Sequence, residues 1–383
     1  MKVSIVSDTH FGFRWGEERE DDSFRNAREA LERSLDADII LMPGDIFDRK
    51  IPKQEVLDRA TEVLSIPMDG DRSVETNGAL EMDGDGIPVV AIHGTHERRP
   101  EAYTNPIELM ESAGRLVHLD LETRTFEKDG EKVAVHGMSG VPESRAPEVL
   151  EEWSPEPVED AFNILMIHQS IEGFVYTSGD ALTMEDLPGG FDLIVDGHIH
   201  WYDLERREKP LILPGSTLTT QLRKVEAEKP KGFVTLDTTE GRLKFNKLNS
   251  ARDVYYVERQ LDGEPWSEIK QGIADDLSEI EGEMKPLVNL KLEGKTSARI
   301  NIQEIRDMFD NLLLSVNRDI ERPGTSSTGE EIDPAKEGQE LLEENIDTDL
   351  DIDHEQFFEL LQTGDVENAL NTLEKAHDRE NRG

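Results

Sequence analysis

Five short apolar runs in the first 200 residues each lead into a polar stretch carrying aspartate or histidine. Those stretches are Ser7-Asp8-Thr9-His10, Pro43-Gly44-Asp45-Ile46-Phe47-Asp48, Gly94-Thr95-His96-Glu97, Ile167-His168-Gln169 and Gly197-His198-Ile199-His200. Short apolar runs bounded by such signals read as buried strands, here over 3–7, 39–42, 88–92, 132–135, 163–167, 193–195 and 210–213. Between the first two, residues 22–35 carry Phe24, Ala27, Leu31 and Leu35 at helical spacing. A second helix is expected over 106–113, where Pro106 suits the first helical position. Strands alternating with helices predict an α/β layered fold. The later strands, 232–236 and 242–248, are joined by short connections. A two-sheet sandwich flanked by helices is therefore expected in place of one parallel sheet.

In open α/β sheets ligands bind beyond the carboxyl ends of the strands, so the five stretches should meet in one cleft. Their donors are carboxylates and imidazoles. The chain has no cysteine, which excludes thiolate metal sites, cysteine nucleophiles and disulfides. Such a set suits Mn²⁺, Fe²⁺ or Zn²⁺. One carboxylate can bridge two ions, and such a pair clamps the attacking and leaving oxygens of an in-line displacement. The pattern predicts a two-metal phosphoesterase built mainly from Asp8, His10, Asp45, His168, His198 and His200. A single Asp-x-His or His-x-His is more often incidental; the order and spacing of the whole set carry the reading. His93 and His136, on or beside strands, read as packing residues, and His118, His354 and His377 have no companion motif. The Gly/Asp-rich stretch 68–86 lacks the closing glutamate of an EF-hand and reads as a solvated insertion.

Aspartate and glutamate total 84 against 42 lysines and arginines, a formal net charge of −42. The acids are spread along the chain, as in proteins of extreme halophiles. At about 1 M salt the Debye length is roughly 3 Å, so self-repulsion on this scale is tolerable. Phosphate attraction is weak for any protein in such salt, so the acidity does not exclude a nucleic-acid substrate. No apolar run is long enough to span a membrane, and the first residues lack a secretory pattern. A cytoplasmic location is expected.

Residues 1–250 are expected to form the catalytic domain. Residues 251–320 read as a small β-α-β-α domain, with strands at 254–258 and 287–292 and helices at 264–280 and 302–314. Residues 321–353 are acidic and poor in apolar side chains, as in a disordered linker. Within 354–383, Phe357, Leu360 and Leu361 share one helical face, Thr363-Gly364-Asp365 breaks it, and Val366, Leu370 and Leu373 begin another. Two short amphipathic helices behind a linker cannot bury both faces on themselves. They read as a partner-binding hairpin, or as a segment that docks back.

On these motifs the chain resembles the calcineurin-like metallophosphoesterase superfamily, whose order is Asp-x-His, Gly-Asp-x-x-Asp, Gly-Asn-His-Asp/Glu, a lone His and Gly-His-x-His. Within it the closest likeness is to the double-strand-break repair nucleases of the Mre/SbcD type, partners of an SMC-like ABC ATPase. Leu213-Pro214-Gly215-Ser216-Thr217 and Lys229-Pro230-Lys231-Gly232-Phe233 carry that narrower likeness. The resemblance implies that Asp8, His10 and His200 hold one metal, that Asp45 bridges, and that His168 and His198 hold the second. It also implies that His96 orients the scissile phosphate or protonates the leaving oxygen, with Asp48 and Glu97 behind the ligands. Thr95 stands where the family has a metal-binding asparagine, and a hydroxyl is a weaker donor on a shorter arm. By resemblance the cofactor is two Mn²⁺. The expected activities are 3′–5′ exonuclease on duplex ends and endonuclease on single strands, in a homodimer with a DNA-capping domain and an ATPase-binding C-terminal segment. A stand-alone phosphodiesterase or phosphatase, and a repair scaffold weakened by Thr95, are the competing readings. Arg14, Arg98 and Arg99 lie beside the motifs and read as solvated arginines that could meet phosphate.

Overall fold

The alternation of side chains along each strand decides how the layers stack, because neighbouring residues point to opposite faces of a sheet. A computed structural model describes residues 1–77, 82, 84–100, 102–174, 181–206 and 209–321. Among these, one sheet runs edge to edge through Arg242–Lys247, Gly232–Asp237, Lys2–Ile5, Ile39–Pro43, Val89–Ile92 and Val117–His118. A second runs through Asp203–Glu205, Leu211–Leu213, Leu193–Asp196, Phe162–Ile167, Glu131–Gly137, Glu122–Lys128 and Glu75–Thr76. Both have a parallel centre; the second has antiparallel edges on both sides, and the first is antiparallel only on the side of Arg242–Lys247 and Gly232–Asp237.

Ile39 and Leu41 face inward with Val3, Ile5, Val90 and Ile92, against Phe126, Val133, Val135, Ile164, Met166 and Val195 of the second sheet. Ile40, Met42, Val89 and Ala91 face the other way, against Phe24, Ala27 and Leu31 of helix Asp22–Glu32 and Val56, Ala60 and Val63 of helix Gln54–Leu64. The outer face of the second sheet packs Leu165, Ile167, Ile194 and Leu211 on Ala146 and Leu150 of helix Ala146–Trp153. This is the helix-flanked sandwich the strand pattern predicts, and strands buried on both faces explain the near-continuous apolar runs. Helix Pro106–Ser112 starts at a capping box. The Asn105 side chain accepts from the Ile107 and Glu108 amides at 2.8 and 2.9 Å, and Glu108 accepts from the Asn105 amide at 2.9 Å.

The chain after residue 250 differs from the expectation. It forms a third, wholly parallel sheet of Val254–Asp262, Leu287–Lys295 and Leu313–Glu321, covered by helices Trp266–Leu277 and Ile302–Asp307. The helix expected over 302–314 stops at Asp307, and the residues from Leu313 pair as a strand. The apolar spacing Ile302, Ile305, Phe309, Leu312 fits a helix, but nine registered pairs with the Leu287–Lys295 strand outweigh local preference. Glu321, expected to open the linker, ends that strand. Residues 322–353 and the expected ATPase-binding segment 354–383 lie outside the described residues. Helices Gln54–Leu64 and Ala146–Trp153 and strand Glu122–Lys128 have no counterpart in the sequence reading. The stretch 68–86 contributes the edge pair Glu75–Thr76. Met1–Glu321 forms one compact unit, and no helix among the described residues is long and apolar enough to cross a membrane.

A surface with this excess of carboxylate repels itself at low ionic strength. Raising KCl from about 0.2 M to about 2 M is expected to raise the thermal unfolding midpoint by several degrees. A midpoint that is flat or falls in a calorimetric salt series would contradict adaptation to molar salt.

Candidate metal centre

The strands end where the five motifs begin, and the backbone there is bent sharply to aim the side chains. Asp8, His10 and Asp45 have φ of 49°, 44° and 46°, the left-handed region that non-glycine residues seldom enter. Such residues cost of order 1–3 kcal/mol each and persist where surrounding structure holds them. Here the His10 amide donates to the Asp45 carbonyl at 3.0 Å and the Phe11 amide to the Ile46 carbonyl at 2.7 Å, locking the first two motif loops together. Two glycines make the approach possible. A Cβ on Gly94 would lie 2.2 Å from Asp45 Oδ1, and one on Gly197 would lie 1.8 Å from the Pro43 carbonyl oxygen.

These turns bring the motif side chains into two groups that share Asp45. One is Asp8, His10, Asp45 and His200; the other is Asp45, His168 and His198; the ligand atoms of each lie within 4.8 Å of one another. His10 Nε2 faces His200 Nε2 at 3.3 Å, and His200 Nε2 is 3.7 Å from Asp8 Oδ1. In the second group His168 Nε2 lies 3.2 Å from Asp45 Oδ2 and 3.4 Å from His198 Nδ1. His168 Nδ1–H donates to the Pro43 carbonyl at 2.8 Å, and His200 Nδ1 is hydrogen-bonded with Thr220 Oγ1 at 2.6 Å, so each ring turns its Nε2 into the cluster. Buried Asp8 Oδ1 and His10 Nδ1 have no hydrogen-bond partner among the described residues. Buried polar atoms are rarely left so, and lone pairs converging without donors suit a divalent cation.

His10, Asp48 and His96 form a third group on the solvent side. The His96 amide donates to Asp45 Oδ1 at 2.9 Å and its Nδ1–H to the Asp48 carbonyl at 2.8 Å, which leaves Nε2 3.9 Å from Asp45 Oδ2. Asp45, His96, His198 and His200 line a cavity of ≈ 770 Å³ whose wall also includes Trp201, Phe174 and Arg223.

Residues 1–202, more than half of the chain, match the family model described as calcineurin-like phosphoesterase. The chain belongs to that family. Members are named for phosphoester chemistry, and the His/Asp groups accord with divalent-metal binding. The phosphoesterase is also similar to proteins named DNA double-strand break repair protein Mre11. It is 28% identical over 294 residues to that of Methanopyrus kandleri, covering 70% of this chain and 61% of the relative. It is 28% identical over 332 residues to that of Thermoplasma acidophilum, covering 81% of each. To the double-strand break repair protein MRE11 of Encephalitozoon cuniculi it is 27% identical over 276 residues, covering 66% and 48%. The phosphoesterase thus spans less than two thirds of the length of the first and third of these.

Of the residues singled out in the sequence, Asp8, His10, Asp45, His168, His198 and His200 are brought together. Thr95 Oγ1 is 3.5 Å from His168 Nε2, at the edge of the second group. Asp48 Oδ1 lies 3.7 Å from His10 Nδ1. Glu97 is buried, and its two oxygens accept the Phe47 and Gly94 amides, both at 2.7 Å, tying the second motif loop to the third. Burial, then the Asp45 charge, pushes its pKa up to about 7. His93 pairs with His118 at 3.1 Å and His136 with Asn163 at 3.2 Å, and neither joins a metal group. The arginines Arg98 and Arg99 lie outside the cavity wall, and Arg99 donates to the Thr104 carbonyl at 2.8 Å.

Four supports escaped sequence reasoning. Ser7 Oγ donates to Asp8 Oδ2, and Thr220 fixes His200. Asp196 accepts the Gln169 and His198 amides at 3.1 and 3.3 Å, and burial pushes its pKa up to about 7. Lys231, buried, donates to the His200 carbonyl at 2.7 Å, to Ser216 Oγ at 3.0 Å and to Glu226 Oε2 at 2.8 Å. The Lys-Gly-Phe and Pro-Gly-Ser segments noted in the sequence supply Lys231 and Ser216, but only their contacts reveal why they matter.

The clusters differ in proton content. Burial lowers His10 to about 3, and burial with the His168 charge lowers His198 to about 4. His200 also falls well below its usual value through burial and the His10 charge. All three are neutral imidazoles at pH 7. Burial lowers His168 too, but Asp45 at 3.2 Å, with help from Asp8 and the Pro43 carbonyl, raises it to about 10 overall. A cation must therefore displace the His168 proton, and rising pH removes that competitor. Uptake at about pH 7.5 is expected to release roughly one proton per chain, with affinity rising up to about tenfold per pH unit. Titration calorimetry in two buffers of different ionisation enthalpy measures this; identical heats would refute a protonated His168.

Proposed function

We propose that this phosphoesterase is a metal-dependent DNA nuclease that processes double-strand-break ends together with an SMC-like ABC ATPase. Asp8, His10 and His200 would hold one cation and His168 and His198 the second, with Asp45 between them and Thr95 reaching the second through water. Two Mn²⁺ suit this nitrogen-and-oxygen donor set; a divalent pair supplies Lewis acidity toward a phosphodiester and acidifies an attacking water. The observation that carries the reading is the carboxylate of Asp45 shared by two His/Asp groups at the wall of one cavity. That relatives matched over more than four fifths of both chains are named for double-strand break repair supports DNA as the substrate.

The chain's own groups divide the remaining work. His96 stands over the clusters with Nδ1–H tied to the Asp48 carbonyl, so its Nε2 can meet a phosphate oxygen or give a proton to the leaving oxygen. Its ring packs edge-on against His10, with centroids 4.9 Å apart, which limits rotation. The His96 amide holds Asp45 Oδ1 and leaves Oδ2 for the cations. Trp201 and Phe174 give the cavity an apolar wall. We assign residues 1–250 to catalysis, 251–321 to capping the DNA and 354–383 to the ATPase, in a homodimer.

In Mn²⁺, duplex ends are expected to be shortened from the 3′ side and single strands cut internally. His96→Ala is expected to lower kcat by about 10²–10⁴-fold with little change in metal affinity. Full activity in that variant, followed by gel analysis of labelled DNA, would remove His96 from the reaction. Deleting 354–383 is expected to leave Mn²⁺-dependent cleavage intact and to abolish co-purification of the coiled-coil ATPase. Unchanged ATPase binding would reassign the terminal helices.

A further inference from the structure

Beside the metal cavity lies a second one, of ≈ 460 Å³, with a composition unlike the rest of the molecule. Four of its eleven lining residues are basic and none is acidic, in a chain with 84 acidic and 42 basic residues. The basic four are Arg14, Arg19, Arg223 and Lys224. Arg19 is committed to structure: it pairs with Asp22 at 3.1 Å and donates to the Thr219 carbonyl. The other three are available. Arg223 is exposed and, although its carbonyl accepts the Glu226 and Ala227 amides, its side chain makes no ion pair or hydrogen bond among the described residues. Arg14 and Lys224 are exposed and each has one surface partner, Glu17 and Glu258, at 3.1 Å. Exposed, solvent-screened pairs of that kind contribute little, so a phosphate can replace the carboxylate.

The pocket is also joined to the metal centre. Gln221 and Arg223 line both cavities, and Thr220, which fixes His200, lines the basic one. The far wall comes from the third sheet, where half-buried Tyr256 presents its ring with Lys224 Nζ 5.7 Å from the centroid. Exposed cations beside an aromatic face are the combination that holds single-stranded nucleic acid, with phosphate on the charges and a base on the ring. A free inorganic anion would need no such ring.

We propose that this pocket is a strand-holding subsite: Arg14, Arg223 and Lys224 bind the backbone phosphate of the DNA strand next to the phosphodiester at the metal centre. It rests on the DNA nuclease reading and deepens it. The third sheet then contributes a wall to the path of the cut strand, and the registration of that strand depends on cations that carry no metal.

The test uses the full chain and a labelled single-stranded DNA oligonucleotide, with binding followed by anisotropy across a KCl series in EDTA. The double variant Arg14→Gln/Arg223→Gln is expected to bind roughly tenfold more weakly at low salt. Its slope of log affinity against log salt should be shallower by about 1.4, or about 0.7 per lost phosphate contact. Arg14→Lys/Arg223→Lys, which keeps both charges, should retain the wild-type slope. If wild-type protein binds and cuts the strand in Mn²⁺ while the glutamine variant keeps its affinity and slope, the subsite is overturned alone. Wild-type protein that neither binds nor cuts the strand would overturn the nuclease reading, and the subsite with it.

Discussion

The carboxylate of Asp45 is the point on which both halves of the sandwich converge. It leaves the end of strand Ile39–Pro43 in a left-handed turn, and its Oδ1 is held by the His96 amide. Its Oδ2 faces His168 from the second sheet at 3.2 Å. The same His168 donates back to the Pro43 carbonyl, so the two sheets are hydrogen-bonded to each other through the site itself. Burial alone would raise this carboxyl, yet the imidazolium of His168 keeps it well below its usual range. A buried ion pair of this kind gains little over apolar packing and is strongly destabilising when one member is removed. Its presence is accounted for by the ligand arrangement it maintains.

Around Asp45 the molecule gathers buried charge that an ordinary core avoids. Asp8, Glu97 and Asp196 are fully buried, and burial raises the pKa of all three. Glu97 is satisfied by backbone amides, whereas Asp8 and Asp196 each keep one oxygen unpaired. On the other side the buried Lys231–Glu226 pair holds the backbone of His200 in place. The ligand groups thus sit in a frame whose hydrogen bonds run mostly to backbone atoms, and such bonds leave little freedom for the rings to turn. Preorganisation of this kind lets lone pairs converge before any cation arrives.

Charge is distributed on a larger scale by the same logic. The overall excess of carboxylate repels polyanions. The wall formed by Arg14, Arg223 and Lys224 reverses that sign over a small area adjoining the metal cavity. A local field of this kind selects where a phosphate chain can lie without making the whole surface sticky.

The apolar runs, their two-sided burial and the motif stretches at their ends were legible in the sequence, because strand periodicity and ligand chemistry are local properties. The unbroken apolar run over 39–42 already read as a buried strand, and the mixture of aspartate and histidine without cysteine already implied oxygen-and-nitrogen metal chemistry. The third strand of the last sheet was not legible. Residues 302–314 have helical apolar spacing, and only pairing with Leu287–Lys295 decides where the helix ends. Nor could spacing reveal that Ser7, Thr220, Asp196 and Lys231 brace the ligands, since each acts through a contact with a residue remote in sequence or through a turn of backbone. The sequence by itself determined the donor set and the layers that present it. Tertiary structure decided the partnership of Asp45 with two clusters and the meeting of Arg14 with Arg223, because both depend on how separate strand ends are brought within a few ångströms.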